Sequence, residues 1–80
     1  MYTVYIIKSE KDKKRYIGFT SKNPQVRLKE HNSNKGSFTR GHQPWELIYT
    51  EEFDSKNEAF NREKFLKSGQ GRKWLDNKIR

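Results

Sequence analysis

Tyr5 and Tyr16 lie in two short aromatic runs, Thr3-Val4-Tyr5-Ile6-Ile7 and Arg15-Tyr16-Ile17-Gly18-Phe19-Thr20, separated by the charged stretch Lys8 to Lys14. Paired as a hairpin with Tyr5 opposite Gly18, the phenols become diagonal neighbours on one face, within reach of a common ligand. Arg27 and His31 stand four residues apart, so on a helix they share a face. That pair can converge on an anion or form a solvated basic stripe. A fixed guanidinium has the forked donors and permanent charge that phosphodiester cleavage requires against a pentavalent phosphorane. Glu63 falls between Leu66 and Phe60 and beside Ala59 on a helical wheel, an acid inside an apolar arc. It needs a partner, either a structural ion pair with a neighbouring Lys or Arg or a functional cation.

Several elements must hold these groups. The two runs predict the hairpin, with Val4 and Ile6 on the face opposite Tyr5. Asn23 as cap and Pro24 at the first position predict a helix over about 24–32. Asn32 to Pro44 reads as an exposed loop, and Trp45 to Phe53 as a third strand with cover on both faces. Ser55-Lys56-Asn57-Glu58 fits a capping box that starts a helix running to about Lys67. Ser68-Gly69-Gln70-Gly71 breaks it, and a last amphipathic segment, Arg72 to Ile79, can bury Trp74, Leu75 and Ile79. The expected order is β-β-α-β-α-α, an α+β fold with a small three-stranded sheet flanked by helices, as a single domain over 1–80.

Composition sets the bounds. Eighty residues with 30% hydrophobic content make one small domain, and no cysteine is present for disulfides or thiolate metal sites. No apolar run is long enough for a signal peptide or membrane span, which predicts a soluble, cytoplasmic protein. Eighteen Lys and Arg against ten Asp and Glu give a net charge of +8, a field that attracts polyanions, nucleic acid first among them.

Tyr16-Ile17-Gly18 resembles the second half of the paired motif that names the GIY-YIG nucleases, and Thr3-Val4-Tyr5 stands where the first half would be. The resemblance extends through Asn23-Pro24, Arg27-Leu28, His31-Asn32, Pro44-Trp45-Glu46 and the Ala59-x-x-x-Glu63 arrangement. It also resembles the nuclease domain of structure-specific repair endonucleases and small stand-alone GIY-YIG proteins. The resemblance implies a divalent-metal-dependent endonuclease acting on DNA, in repair, recombination or processing, with 5′-phosphate and 3′-hydroxyl products. It makes Glu63 the ligand of Mg²⁺ or Mn²⁺, a role that one carboxylate plus waters and phosphate oxygen suits. Tyr5 becomes the general base, with nearby cations required to favour its phenolate, and Tyr16 and His31 orient water and phosphate. Two features depart from the family pattern: the first glycine of the motif is absent, and Leu75 stands where several members have an asparagine. The alternative is a catalytically weak nucleic-acid-binding module that keeps the nuclease fold.

Lys22, Lys35, Arg40, Arg72 and Lys73 are the expected phosphate contacts, and Gly18 a place where substrate approaches backbone. Phe38 or Trp45 could stack on a base, although Trp45 also fits a core position. The DNA could be branched or single-stranded, and target choice must come from this core or a partner protein.

Overall fold

β-Branched and aromatic residues dominate the first two strands, β1 (Tyr2–Ser9) and β2 (Arg15–Thr20), which pair antiparallel with Tyr5 opposite Gly18. The computed structural model describes residues 1–33 and 41–79. At the hairpin turn the Ser9 amide donates to the Lys14 carbonyl at 2.8 Å, and Lys13 takes a left-handed φ of 66°. The Ser9 side chain, fully buried, accepts from the Lys11 and Asp12 amides at 3.1 and 3.2 Å and so knits the turn together.

Helix α1 (Pro24–His31) begins as its sequence dictates, with the Asn23 side chain accepting from the Gln25 amide at 2.8 Å and proline in the first turn. The chain then enters β3 (Trp45–Phe53) through a cis Gln43–Pro44 bond. Asn32 ties these elements together. Its side chain accepts from the Trp45 amide at 2.7 Å and donates to the Trp45 carbonyl at 3.1 Å, mimicking a strand partner.

β3 pairs antiparallel with β1, giving the sheet order β2-β1-β3. Its alternation is broken by a bulge: Tyr49 faces Ile6 and Leu47 faces Ile7, so Ile48 is the extra residue. Ile48 and Tyr49 therefore both reach the core on one side, while Leu47 packs on the other.

Helix α2 (Lys56–Lys67) starts at the capping box, with Ser55 Oγ accepting from the Glu58 amide at 3.1 Å. Helix α3 (Gly69–Lys78) starts earlier than its glycines suggest. Ser68 ends one helix and starts the next, its amide donating to the Phe65 carbonyl and its hydroxyl accepting from the Gly71 amide. Gly71 is required by approach rather than by a break. A Cβ there would fall 1.9 Å from the Phe65 carbonyl oxygen and 2.6 Å from the Leu66 Cα.

The two faces of the sheet carry separate cores. Val4 and Ile6 pack with Ala59, Leu66 and Leu75 beneath α2 and α3. Tyr5, Ile7 and Trp45 pack on the opposite face, with Leu28 of α1 against them. A half-buried ion pair lies within this frame: Arg62 grips both carboxylate oxygens of Glu51 at 2.8 and 3.1 Å, and its guanidinium lies over the Trp74 ring. Glu51, near the end of β3, is half-buried through this contact.

Candidate active site

β1 delivers Tyr5 to the face covered by α1, and α1 delivers Arg27, Glu30 and His31 at i, i+3 and i+4 to meet it. The Tyr5 hydroxyl lies 3.0 Å from His31 Nε2. The Arg27 guanidinium is close enough for its charge and donors to act on the same oxygen. Tyr16 completes the aromatic wall, its ring 6.4 Å from Tyr5 and 4.7 Å from His31 between centroids.

Proton positions follow from these contacts. A guanidinium can only donate, so with the Arg27 charge acting on the Tyr5 oxygen the phenolic proton is directed away from it, to His31 Nε2. His31 must then be neutral, and its surroundings keep it so: burial, then the Arg27 charge, push the imidazole below its ordinary value. For Tyr5, burial pushes the phenol up, and the Arg27 hydrogen bond and charge oppose this without overcoming it. The expectation that neighbouring cations would leave Tyr5 readily ionised is thus reversed at rest, because burial disfavours the phenolate more than one guanidinium favours it.

Gly18 also changes role. It is buried, and a Cβ on it would sit 2.8 Å from the Tyr5 hydroxyl oxygen and 3.3 Å from Tyr16 Cε1. The missing side chain makes room for the phenols, not for a substrate backbone.

Glu63 comes from α2, on the other face, yet its charge is felt at the Tyr5 hydroxyl. The carboxylate is only 15% exposed, and its ion partner is the exposed Lys67 one turn on, at 3.6 Å. The described residues contain no cluster of three His, Cys, Asp or Glu side chains. Glu63 therefore fits a cation that keeps most of its waters, and would not by itself strip one bare.

Glu30 was not legible as a site residue. It forms a tight ion pair with Arg27 and lies 3.8 Å from Lys22 Nζ, so it fixes the guanidinium's direction. Its spacing from Arg27 was the only sequence signal. Of the expected phosphate contacts, Lys22 is exposed beside this group, Arg72 lines a groove beyond Tyr16, and Lys73 is exposed on α3 outside that groove. Lys35, Arg40 and Phe38 lie outside the described residues. Trp45 is 3% exposed and belongs to the core, so it is no stacking platform. His42, just before β3, pairs with Asp12 of the hairpin turn.

Among the described residues, three antiparallel strands and three helices in the order β-β-α-β-α-α, with a tyrosine and a histidine paired on one face, fit a nuclease-type catalytic domain. Residues 1–78 match the model of the GIY-YIG catalytic domain, and the chain belongs to the GIY-YIG family. It is similar to UPF0213 proteins: 44% identical over 66 residues to one from Natronomonas pharaonis, covering 81% of this chain and 75% of that one. A second, from Clostridium perfringens, is 44% identical over 68 residues, covering 84% and 71% of the two chains. The solution NMR structure of a UPF0213 protein from Bacillus halodurans superposes with a TM-score of 0.57 at 36% identity, covering 96% of this chain and 84% of that one. No helix among the described residues is long and apolar enough to cross a membrane.

Proposed function

We propose that this protein is a divalent-metal-dependent endonuclease that hydrolyses DNA phosphodiester bonds in repair, recombination or processing. One observation carries the reading: the buried Tyr5 hydroxyl lies 3.0 Å from His31 Nε2, with the Arg27 charge and donors acting on the same oxygen. A purely structural tyrosine at 1% exposure would need one hydrogen-bond partner, not this set.

Arg27, aimed by Glu30, neutralises charge as the phosphorane forms. The attacking water gives a proton to the Tyr5 oxygen as the Tyr5 proton passes to His31 Nε2. The water oxygen forms the new bond to phosphorus and the bond to the 3′ oxygen breaks, that oxygen taking a proton from solvent. His31 then returns its proton to water. Glu63 would hold Mg²⁺ or Mn²⁺, which supplies polarisation of the phosphate and stabilises the leaving oxygen. Tyr16 packs against His31 and holds its ring in line.

A metal titration on supercoiled plasmid and branched DNA tests this, comparing the parent with Glu63→Gln and Arg27→Ala. Each substitution is expected to lower nicking about 10²–10³-fold, the scale for losing one transition-state contact. Unchanged nicking in both would refute the site. The raised phenol favours a second reading, a binding module with little turnover. That reading takes over if the parent cuts in neither Mg²⁺ nor Mn²⁺ yet binds DNA with a steep salt dependence.

A further inference from the structure

Tyr16 also borders a groove of about 650 Å³ lined by Lys14, Arg15, Lys67 and Arg72. These cations come from the hairpin turn, β2 and the two C-terminal helices, so only the tertiary fold assembles them. The groove holds one carboxylate, that of Asp76, whose Oδ1 lies 2.5 Å from Arg15 Nη2. Among the described residues no acidic side chain pairs with Lys14 or Arg72. Ile17 and Leu75 add apolar wall.

We propose that this groove is a second phosphate subsite, which holds a nucleotide flanking the scissile phosphodiester, and that Asp76 restrains Arg15 until the nucleic acid displaces it. The inference rests on the nuclease reading above and extends it. Two residues join groove and active site: Tyr16 is a wall of both, and Lys67 lines the groove while pairing with Glu63 at 3.6 Å. A chain whose scissile phosphate lies at Arg27 and Tyr5 would meet these cations on passing Tyr16. The volume lies within the range of sites that enclose a nucleotide-sized ligand. The Arg15–Asp76 pair is exposed, at 32% and 61%, so it is held weakly enough for a phosphate to replace the carboxylate. Four cations against one acid favour a polyanion over a neutral or acidic peptide.

The test uses the full chain carrying Glu63→Gln, so that cutting is strongly slowed, and a labelled oligonucleotide titrated over a series of NaCl concentrations, single-stranded and as a branched duplex. Arg72→Ala and Lys14→Ala are each expected to weaken binding several-fold and to flatten the salt slope by roughly 0.7–0.9, one phosphate contact each. Asp76→Asn is expected to tighten binding, a gain that misfolding cannot imitate. Lys56→Ala, an exposed charge at the start of α2 outside the groove, serves as the control. The proposal is overturned if Lys56→Ala matches Arg72→Ala, since net charge alone then explains the loss. It is also overturned if the three groove variants bind like the parent while Arg27→Ala weakens binding, which would leave the active site standing. Absence of salt-sensitive binding in the parent would sink the nuclease reading and the groove together.

Discussion

Gly18→Ala should damage both stability and activity, and the size of the effect can be worked from the contacts. The added methyl would lie 2.8 Å from the Tyr5 hydroxyl oxygen and 3.0 Å from Tyr5 Cζ. To reach the ~3.5 Å at which nonbonded atoms attract, the phenol must retreat by roughly 0.7 Å. A tyrosine at the surface could swing aside. Tyr5 is 1% exposed, bonded to His31 at 3.0 Å and flanked by Tyr16, so retreat strains the bond or the packing. Overpacking of this kind costs about 1–3 kcal/mol. For a chain of this size each kcal/mol lowers the melting temperature by about 4–8 °C. The nicking rate should fall about 10–100-fold, since a ~1 Å displacement of a reacting group can cost 10². A double-mutant cycle with Tyr5→Phe isolates the cause. Removing the hydroxyl removes the closest contact, so Gly18→Ala should cost about 1 kcal/mol less in that background, measured by urea unfolding. If Gly18→Ala unfolds within ~0.5 kcal/mol of the parent and costs the same in both backgrounds, the phenol is not confined by Gly18 and the reasoning fails.

Gly71→Ala should be the more damaging glycine change, about 3 kcal/mol or more, because its Cβ would meet backbone atoms at 1.9 and 2.6 Å that cannot turn aside; thermal unfolding reads it. The acid limb of the pH–rate profile should report His31. Its folded value lies below the ordinary 6.5, so it accepts the Tyr5 proton at neutral pH, and the rate should fall as pH drops through that lower value. Stability carries the same sign. Below about pH 6.5 the unfolded imidazole gains a proton before the folded one does, so unfolding becomes easier as pH falls until the folded group protonates too. An acid limb and a stability slope unchanged in His31→Gln would show that another group titrates.

The parts of this fold that the sequence discloses are those governed by a local rule. Strand parity separates Val4 and Ile6 from Tyr5, and two separate cores follow from it. Asn23-Pro24 and Ser55 through Glu58 start helices because the side-chain bonds they make are local. The bulge at Ile48 has no such signal, since one extra residue in a strand of mixed polarity looks like cover on both faces. Ser68 to Gly71 misleads for a physical reason: glycine at a predicted break and glycine at a close helix–helix contact look alike in sequence. Arg27 and His31 were legible through helical spacing and the family motif. Glu30 was not, because an acid three residues from an arginine is ordinary on any helix surface. Glu51 and Arg62, eleven residues apart, meet only when β3 and α2 dock. The groove is of the same kind, its cations brought together from positions 14 to 72.

The resting site is built to keep Tyr5 protonated, and this bears on how it would work. Burial raises the phenol, and the nearby Glu63 charge raises it further, while Arg27 alone pulls the other way. A cation held by Glu63 would cancel one of the negative charges that disfavour the phenolate. His31, held neutral by burial and Arg27, then stands ready to take the proton at 3.0 Å. If Glu63 holds the metal and acts on Tyr5, the apparent phenol pKa should drop on adding Mg²⁺ and the drop should vanish in Glu63→Gln. Ultraviolet difference titration of tyrosinate reads this without any substrate or turnover. A phenol titration indifferent to both metal and Glu63 would mean that the carboxylate and the tyrosine do not act as one site, whatever the nicking assays show.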